Sequence, residues 1–162
     1  MSEQPVYVKG KIHDVTARPL SKFLDERGWL AELYRSDEVA AEVMPVMAYI
    51  SMTQPGVARG PHEHADQTDY FCFIGPSNFK IYLWDARADS PTFGTRQVIY
   101  AGADSPFMVI VPPGVVHAYR NIGNENGIVF NGPNRLYAGH GKHSPVDEIR
   151  HEEARGSAYL LD

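Results

Sequence analysis

Short apolar stretches, each a few residues long, recur along this 162-residue chain and are separated by glycine, proline, asparagine and aspartate. Within residues 79–84, three apolar side chains alternate with lysine, tyrosine and tryptophan. A period of two is typical of a β-strand whose two faces differ. The same reasoning predicts strands over residues 23–34, 47–52, 70–74, 79–84, 96–100, 107–111, 116–121 and 128–130. A turn at 25–28 lies within the first of these ranges, and a hairpin turn at 123–127 precedes the last.

Strands at this spacing predict an all-β sandwich or small barrel, of which the double-sheet jelly roll is one type. Only residues 37–43 and, more weakly, 146–155 favour a helix. No repeat or linker divides the chain, so we expect one domain over residues 1–162. We expect residues 1–20 to form an arm that contacts a second copy by adding an edge strand, and residues 140–162 to form a C-terminal tail with solvated histidines.

Charge and composition narrow the classes of function. The formal net charge of −5 argues against a nucleic-acid-binding surface, because affinity for phosphate backbones depends on clustered lysine and arginine. Even the longest apolar runs, such as 107–111, are far shorter than the ~20 residues that cross a bilayer. The single cysteine, Cys72, lies in an apolar run and is expected to be a buried, inert thiol. The first residues lack the features of a secretory signal, so we expect a cytoplasmic protein.

Two histidine-containing segments carry the candidate chemistry. In the first, His62 and His64 are two residues apart on a predicted strand and therefore share a face, with Asp69 shortly after them. In the second, a Pro-Pro-Gly turn at 112–114 precedes a strand that carries His117. If these faces point inward, three imidazoles and a carboxylate enter one interior.

The spacing of these segments resembles the paired motifs of the cupin superfamily of β-barrels. The first motif there is His-x-His with a later acidic residue and a glycine, and the second is Pro-x-Gly-x-x-His-x-x-x-Asn. Three imidazoles and one carboxylate also form a reasonable set for a divalent transition metal. A metal-binding cupin is therefore the alternative interpretation, with the ligands His62, His64, Asp69 and His117.

A wider resemblance covers residues 23 to about 137. The segments 23–34, 57–62, 85–94 and 111–119 look like those of the dTDP-4-dehydrorhamnose 3,5-epimerase family, and Asp-x-Arg-x-x-Ser-Pro-Thr-Phe-Gly within 85–94 is the most specific of them. The resemblance implies a cupin-type jelly roll, a homodimer, no cofactor and a nucleotide-sugar ligand.

The resemblance also implies roles for individual residues. His62 matches the family's base, and His117 matches its second pocket histidine. Arg27 and Arg59 match positions that hold the diphosphate and nucleotide end, where a guanidinium binds phosphate through two hydrogen bonds. Glu32 matches a position that contacts the nucleotide base. Tyr119 and Asn121 complete the expected substrate-binding set.

This sequence departs from the family at the groups that assist the base. The family's proton-donating tyrosine falls on Phe130, and its lysine falls near Thr68 or Asp69. The aspartate that orients the base lies in a C-terminal extension, beyond the end of the sequence at Asp162, and a glutamine is replaced by His64. The residues that could take over these roles are His64, Asp69, Tyr70, Tyr119 and Tyr137.

We therefore expect an epimerase or isomerase that acts on a nucleoside-diphosphate 4-keto-6-deoxy sugar, with dTDP as the expected nucleotide. The arrangement around His62 and His64 also looks like that of sugar 3,4-ketoisomerases, so both reactions stay open. A histidine suits proton removal beside a ketone because its ordinary pKa lies near neutrality. Beside these two enzyme reactions, the same residues are compatible with the metal-binding cupin and with a non-catalytic sugar-nucleotide binding protein.

Overall fold

The computed structural model describes residues 6–152 and 154–162, while residues 1–5 and 153 lie outside the described range. The described residues form 13 strands and two short 3-10 helices, Ala41–Val43 and His140–Lys142. The strands are β1 (Val8–Lys9), β2 (Thr16–Pro19), β3 (Phe23–Asp25), β4 (Gly28–Leu30), β5 (Tyr49–Thr53), β6 (Ala58–Glu63), β7 (Asp69–Gly75), β8 (Asn78–Asp85), β9 (Thr95–Gly102), β10 (Phe107–Val111), β11 (Val115–Asn121), β12 (Gly127–Asn131) and β13 (Ile149–Arg150).

Two sheets pack face to face as a sandwich. One has six strands in the order β1-β9-β8-β11-β6-β13, and the other has five in the order β2-β10-β7-β12-β5. The strands β3 and β4 form a hairpin that pairs with neither sheet. The predicted all-β sandwich is confirmed.

The alternation along the strands decides which side chains form the core. Phe79, Ile81 and Leu83 of β8 point between the sheets and are fully buried, as the pattern predicts. The other face of the same strand is also buried: Tyr82 and Trp84 are covered by the C-terminal residues. Both faces of β8 are therefore removed from water, which makes it a central strand of the sandwich.

The predicted buried thiol is confirmed on the five-stranded sheet. Cys72 is fully buried on the outer face of β7, under Leu33 and Tyr34. Burial raises the pKa of this thiol to about 12, which keeps it protonated and unreactive at neutral pH.

The two helix predictions have different outcomes. Within 37–43, only the single 3-10 turn Ala41–Val43 is helical. The prediction for 146–155 is wrong, because Ile149–Arg150 is a strand that pairs with β6. A short polar segment gains little as an isolated helix, whereas the edge of β6 offers unpaired hydrogen-bonding groups.

Both ends of the described chain join the sandwich. Residues 8–9 and 16–19, which belong to the arm expected to contact a second copy, pair with the chain's own β9 and β10, while residues 1–5 lie outside the described range. The C-terminal residues contact the six-stranded sheet, since the Asp162 carboxylate accepts hydrogen bonds from Lys80 and Arg96, while His140 and His143 are exposed. His151 also contacts the sheet, since its Nε2 lies 2.9 Å from a carboxylate oxygen of Glu63 on β6. No helix within 6–152 or 154–162 is long and apolar enough to cross a membrane.

Candidate functional site

Both sheets contribute to one histidine cluster. His62 on β6 lies directly opposite His117 on β11, and His64 follows just beyond the end of β6. Asp69 is the first residue of β7, in the facing sheet. The pairing of β6 with β11 and the packing of the sheets therefore bring together residues up to 55 positions apart in the sequence.

The cluster is tight and mostly buried. The ring centroids of His62 and His117 are 4.4 Å apart, and each lies within 5.7 Å of the His64 ring. Asp69 Oδ2 is 3.0 Å from His64 Nε2 and 3.1 Å from His117 Nε2. Each of the four residues offers one ligand atom within 4.8 Å of the other three. The structure thus juxtaposes the four residues that the two motifs single out.

Backbone and amide groups fix the orientation of three members. Asp69 Oδ1 accepts hydrogen bonds from the Gln67 and Asn131 amides at 2.8 and 2.9 Å. The Nδ1 of His64 is hydrogen-bonded to the carbonyl oxygen of Asp147, and the Nδ1 of His117 to that of Val115. Among the described residues, no hydrogen bond fixes the His62 ring.

The charges of the cluster differ between its members. Burial would raise the pKa of Asp69, but His117 and His64 outweigh that effect and hold it well below its ordinary value. Burial and the neighbouring His117 and His64 lower the pKa of His62 to about 3, so its ring is neutral at physiological pH. Although burial opposes it, Asp69 raises the pKa of His64 to about 8.

A cavity of about 550 Å³ opens beside the cluster, between the two sheets and the segment 145–152. His62, His64, Arg59 and Tyr119 line it. The Arg59 guanidinium donates hydrogen bonds to the Thr53 hydroxyl and to a backbone carbonyl, which holds it at the cavity wall. The cavity has the size of a small-molecule site, and apolar, polar and charged side chains line it together.

Two tyrosine hydroxyls complete the cavity. Tyr49 on β5 accepts a hydrogen bond from the Asn131 amide at 2.9 Å, and Tyr119 lies 3.1 Å from the Ser51 hydroxyl. Burial raises the pKa of both tyrosines, so both keep their proton at neutral pH. His62 and Tyr49 lie in different sheets and therefore on opposite walls of the cavity.

Comparison with known proteins assigns this chain to a family. The profile described as dTDP-4-dehydrorhamnose 3,5-epimerase matches residues 9–144. The chain belongs to the dTDP-4-dehydrorhamnose 3,5-epimerase family. It is similar to the probable low-salt glycan biosynthesis epimerase Agl13 of Haloferax volcanii, with 40% identity over 128 residues, 78% of this chain and 81% of the relative. The spore coat polysaccharide biosynthesis protein SpsL of Bacillus subtilis is 38% identical over 112 residues, 69% of this chain and 73% of the relative.

Solved structures share the fold of this epimerase. A dTDP sugar isomerase from Desulfovibrio desulfuricans superposes with a TM-score of 0.78 at 18% identity, over 93% of this chain and 91% of that one. The 3,5-epimerase of Legionella pneumophila, solved in complex with dTDP-4-keto-L-rhamnose, gives a TM-score of 0.75 at 18% identity, over 94% and 80% of the two chains. The family assignment identifies the protein as a sugar-nucleotide epimerase.

Four predicted site residues lie away from the cavity of this epimerase. Tyr70 points to the outer face of β7, where its hydroxyl donates a hydrogen bond to the Leu33 carbonyl oxygen at 2.7 Å. Asn121 is buried further along β11, and its amide donates to two backbone carbonyls that shape a turn. Arg27 is exposed on the β3–β4 hairpin beside Asp25, and Glu32 is exposed on the segment that follows it. The alternation of side chains along β7 directs Tyr70 outward, and Asn121 lies at the far end of β11 from His117. Both residues therefore make structural contacts and do not reach the cavity.

Phe130 also points away from the cavity. Its side chain packs with Tyr70 and Cys72 on the outer face of the five-stranded sheet. The next residue, Asn131, points inward to Asp69. Phe130 therefore does not occupy the place of a tyrosine that faces a substrate in this cavity.

Two residues of the site are not predicted from the sequence. Tyr49 begins β5 and faces the cavity. Asp147 precedes β13, and its carboxylate accepts hydrogen bonds from the backbone N–H groups of residues 65–67 at 2.8 to 2.9 Å. The C-terminal segment of this chain thus orients His64, through the Asp147 carbonyl oxygen. Because the partners of Tyr49 and Asp147 lie 80 or more residues away in the sequence, no local motif marks either residue.

Proposed function

We propose that this epimerase acts on a nucleoside-diphosphate 4-keto-6-deoxy sugar, with dTDP as the nucleotide, in deoxysugar or polysaccharide biosynthesis. The reaction is proton removal by histidine at a carbon next to the ketone, followed by return of a proton to the other face. The observation that carries the proposal is the placement of a histidine and a tyrosine on opposite walls of one cavity.

His62 is the proposed base. A ketone acidifies the hydrogens on the adjacent carbons, so an imidazole with a free lone pair can remove one of them. The lowered pKa of His62 keeps this lone pair free at neutral pH but makes the ring a weaker base than an ordinary histidine. His62 lines the cavity, is only partly buried, and is the member of the cluster whose ring no described residue fixes. His64 and His117 are both committed through Nδ1 to backbone carbonyls. These contacts leave His62 as the histidine best placed to reach a sugar.

Tyr49 is the proposed acid. Its hydroxyl oxygen accepts the hydrogen bond from Asn131, so its own hydrogen is available to a ligand. Epimerisation requires that the proton return to the face opposite the base. A donor in the five-stranded sheet and a base in the six-stranded sheet satisfy that requirement.

Arg59 is the proposed contact for the diphosphate. Its side chain reaches the cavity from β6, three residues before His62, and its guanidinium is held by Thr53 and the Met52 carbonyl oxygen. A planar guanidinium in a fixed orientation binds phosphate oxygens well. The sugar would then lie beside His62 while the nucleotide end lies towards Arg59 and Tyr119.

Deuterium exchange tests this function. When the protein is incubated with dTDP-4-keto-6-deoxyglucose in deuterated water, we expect deuterium at C3 or C5 and an epimerised product, both measured by NMR and mass spectrometry. Calorimetry measures binding of the same sugar nucleotide in parallel. Binding without deuterium incorporation would indicate the non-catalytic binding protein, and no exchange with any nucleotide 4-keto sugar would contradict the proposed reaction.

A homodimer is the proposed assembly. The β3–β4 hairpin carries Phe23, Leu24, Trp29 and Leu30, each more than half exposed, and it pairs with neither sheet. A second copy of the chain would cover these side chains and remove their apolar surface from water. The hairpin also holds Arg27, which lies away from its own cavity. The role that the family resemblance implies for Arg27 would therefore be at the cavity of the second copy.

Association is tested by charging the hairpin. Leu24 is 78% exposed, so Leu24→Asp leaves the monomer fold intact but places a carboxylate in the proposed interface. We expect a wild-type dimer and a monomeric Leu24→Asp variant at about 10 µM, a concentration at which a loss of about 3 kcal/mol suffices to dissociate a dimer of micromolar affinity. Analytical ultracentrifugation measures the mass. Leu160→Asp, at a leucine that is 70% exposed on the C-terminal segment, is the matched control and should stay dimeric. A monomeric wild type would contradict the assembly.

A cytoplasmic location is part of the same proposal. The one cysteine of the sequence, Cys72, is a buried free thiol. The fold of this chain therefore needs no disulfide within the chain and no oxidising compartment in which to form one.

A further inference from the structure

The proposed reaction needs a positive group beside its base. Proton removal from a carbon next to a ketone moves negative charge onto the ketone oxygen, and a donor already in place there lowers the barrier. Among the described residues, no lysine lines the cavity. His64 already directs one ring nitrogen to the Asp69 carboxylate and the other to the Asp147 carbonyl oxygen. The other cations of the cavity wall are three arginines, Arg59, Arg135 and Arg150.

Strand β13 places one of these arginines directly across from the base. Arg150 pairs with His62 in the ladder between β13 and β6, and cross-strand partners share a face of the sheet with their Cβ atoms about 4.5–5.5 Å apart. The same face carries Glu148 and Glu152, which also line the cavity, while His151 lies on the other face of the sheet. The Arg150 side chain therefore reaches the cavity on the same side of the sheet as the His62 ring.

Contacts on both sides of Arg150 fix the position of its strand. His151 donates its backbone N–H to a carbonyl oxygen of β6 at 2.8 Å, and the Asp147 carboxylate accepts three hydrogen bonds from the backbone of residues 65–67. The Arg150 side chain donates through Nε to Glu148 Oε2 at 2.9 Å. A guanidinium carries five N–H donors in a planar fork, and this contact orients the fork by one edge.

The charge of Arg150 acts on the base. Burial is the largest cause of the lowered pKa of His62, followed by His117 and His64, and the positive charge of Arg150 lowers that pKa further. The ketone oxygen of a sugar lies two bonds from the carbon that gives its proton to His62. A charge that acts on the His62 ring therefore also acts on that oxygen.

The other two arginines are placed differently. Arg59 lies on the same strand as His62, where it donates to the Thr53 hydroxyl and is the proposed contact for the diphosphate. Arg135 follows β12 of the facing sheet, and its Nε lies 2.7 Å from a carboxylate oxygen of Asp66. Neither of them is a cross-strand partner of the base.

We propose that Arg150 donates a hydrogen bond to the ketone oxygen of the sugar and stabilises the negative charge that develops there. His62 takes the proton, the electrons of the C–H bond form a carbon–carbon double bond, and an electron pair of the carbonyl moves onto the oxygen beside Arg150. When Tyr49 returns a proton to the other face, the ketone re-forms. Arg150 stays protonated throughout, because a guanidinium does not release its proton at physiological pH. This inference rests on the proposed function and adds a third catalytic residue to it.

Substitution of Arg150 tests the inference in the deuterium exchange assay. Arg150→Gln keeps a polar side chain without the charge, and we expect kcat for deuterium incorporation to fall about 10²- to 10³-fold. KM should stay within about threefold, because an interaction made mainly in the transition state changes kcat. Arg150→Lys keeps the charge but loses the planar fork, so its kcat should lie between those of the wild type and Arg150→Gln.

Arg135→Gln is the matched control. It removes a guanidinium that lines the same cavity, pairs with a carboxylate and is 50% exposed, as against 57% for Arg150. Its kcat should stay within about twofold of the wild type. Because Arg150 is half-exposed on an edge strand, its variants should fold, which circular dichroism checks. Added guanidinium chloride at low concentration should restore part of the rate of Arg150→Ala, which covers the case in which Arg150→Gln does not fold.

Several results would overturn the role of Arg150. An unchanged kcat in folded Arg150→Gln is one, and a raised KM with unchanged kcat is another, because it would place Arg150 at the diphosphate. Equal losses of kcat in Arg150→Gln and Arg135→Gln would overturn it too, as would equally slow Arg150→Lys and Arg150→Gln variants without rescue of Arg150→Ala. A wild type that exchanges no deuterium contradicts the proposed function and this inference with it, whereas any of the other results in an active wild type contradicts this inference alone.

Discussion

Replacement of His62 by asparagine is expected to lower the rate of deuterium incorporation by about 10²- to 10⁴-fold, the contribution of a positioned general base. Asparagine retains a polar side chain of similar reach but accepts no proton from carbon at neutral pH. The backbone pairing of β6 with β11 is unaffected, because it does not use the ring. The KM for the sugar nucleotide should change little, since Arg59 and the cavity walls remain. Rates are measured by NMR in deuterated water.

Tyr49→Phe separates the two proposed proton transfers. The variant keeps the base, so deuterium should still enter the starting sugar from the face of His62, while formation of the inverted product falls about 10²-fold. Tyr70→Phe is the matched control. It removes a hydroxyl that bonds to the Leu33 carbonyl oxygen on the outer face of β7, so both rates should stay within about twofold of the wild type. Equal losses in Tyr49→Phe and Tyr70→Phe would contradict the assignment of Tyr49 as the acid.

The strands can be predicted because the alternation reports burial on one side. The strand predicted over residues 107–111 is β10, with the same bounds. The pairing between strands cannot be predicted in the same way. The prediction that the turn at 123–127 closes a hairpin is wrong, because β11 and β12 lie in different sheets. A local turn sequence determines how the chain reverses, whereas the sheet that each strand joins depends on the packing of the whole sandwich.

In the candidate site, too, some residues can be predicted from a local pattern, whereas others are brought in only by the packing of the whole fold. Residues close in sequence on one strand, such as His62 and His64, can be predicted to share a face from the period of two. Asp69 and His117 can be added because cupin motifs supply their spacing. Tyr49 and Asp147 cannot, because nothing in their neighbourhood distinguishes them from other cavity-wall or surface residues. Residue type alone indicates Tyr70 as a proton donor, and the alternation of β7 directs it outward.

The C-terminal segment shows how a polar stretch acquires a role from its partners. Residues 146–155 carry mixed charges and no apolar stripe, so a helix is only a weak expectation there. In the fold, Ile149–Arg150 extends the six-stranded sheet along β6, and Asp147 anchors the loop that carries residues 65–67. The segment therefore closes one side of the cavity and fixes the His64 ring. Its contribution is positional, and only the assembled sheet reveals it.

Gly60→Ala is expected to destabilise the protein by about 3–5 kcal/mol. Gly60 has a φ of +82°, a conformation that costs an alanine about 1–2 kcal/mol. A Cβ at this position would also lie 2.5 Å from the carbonyl oxygen of His117 and 3.2 Å from Cα of Ala118. Both contacts are backbone atoms of β11, so β6 and β11 must move apart to relieve them.

Gly56→Ala separates the steric clash from the backbone strain. Gly56 has a similar φ of +75°, but nothing lies within 4 Å of its added Cβ, so this variant should lose only about 1–2 kcal/mol. For a domain of this size the melting temperature should fall by roughly 2–8 °C in Gly56→Ala and by roughly 6–20 °C in Gly60→Ala, measured by calorimetry at one protein concentration. Equal losses of stability in Gly56→Ala and Gly60→Ala would contradict this prediction, because they would show that β11 moves away from the added Cβ at no cost in free energy. Because Gly60 lies beside the pairing of His62 with His117, a folded Gly60→Ala protein should also lose exchange activity, whereas Gly56→Ala should retain it.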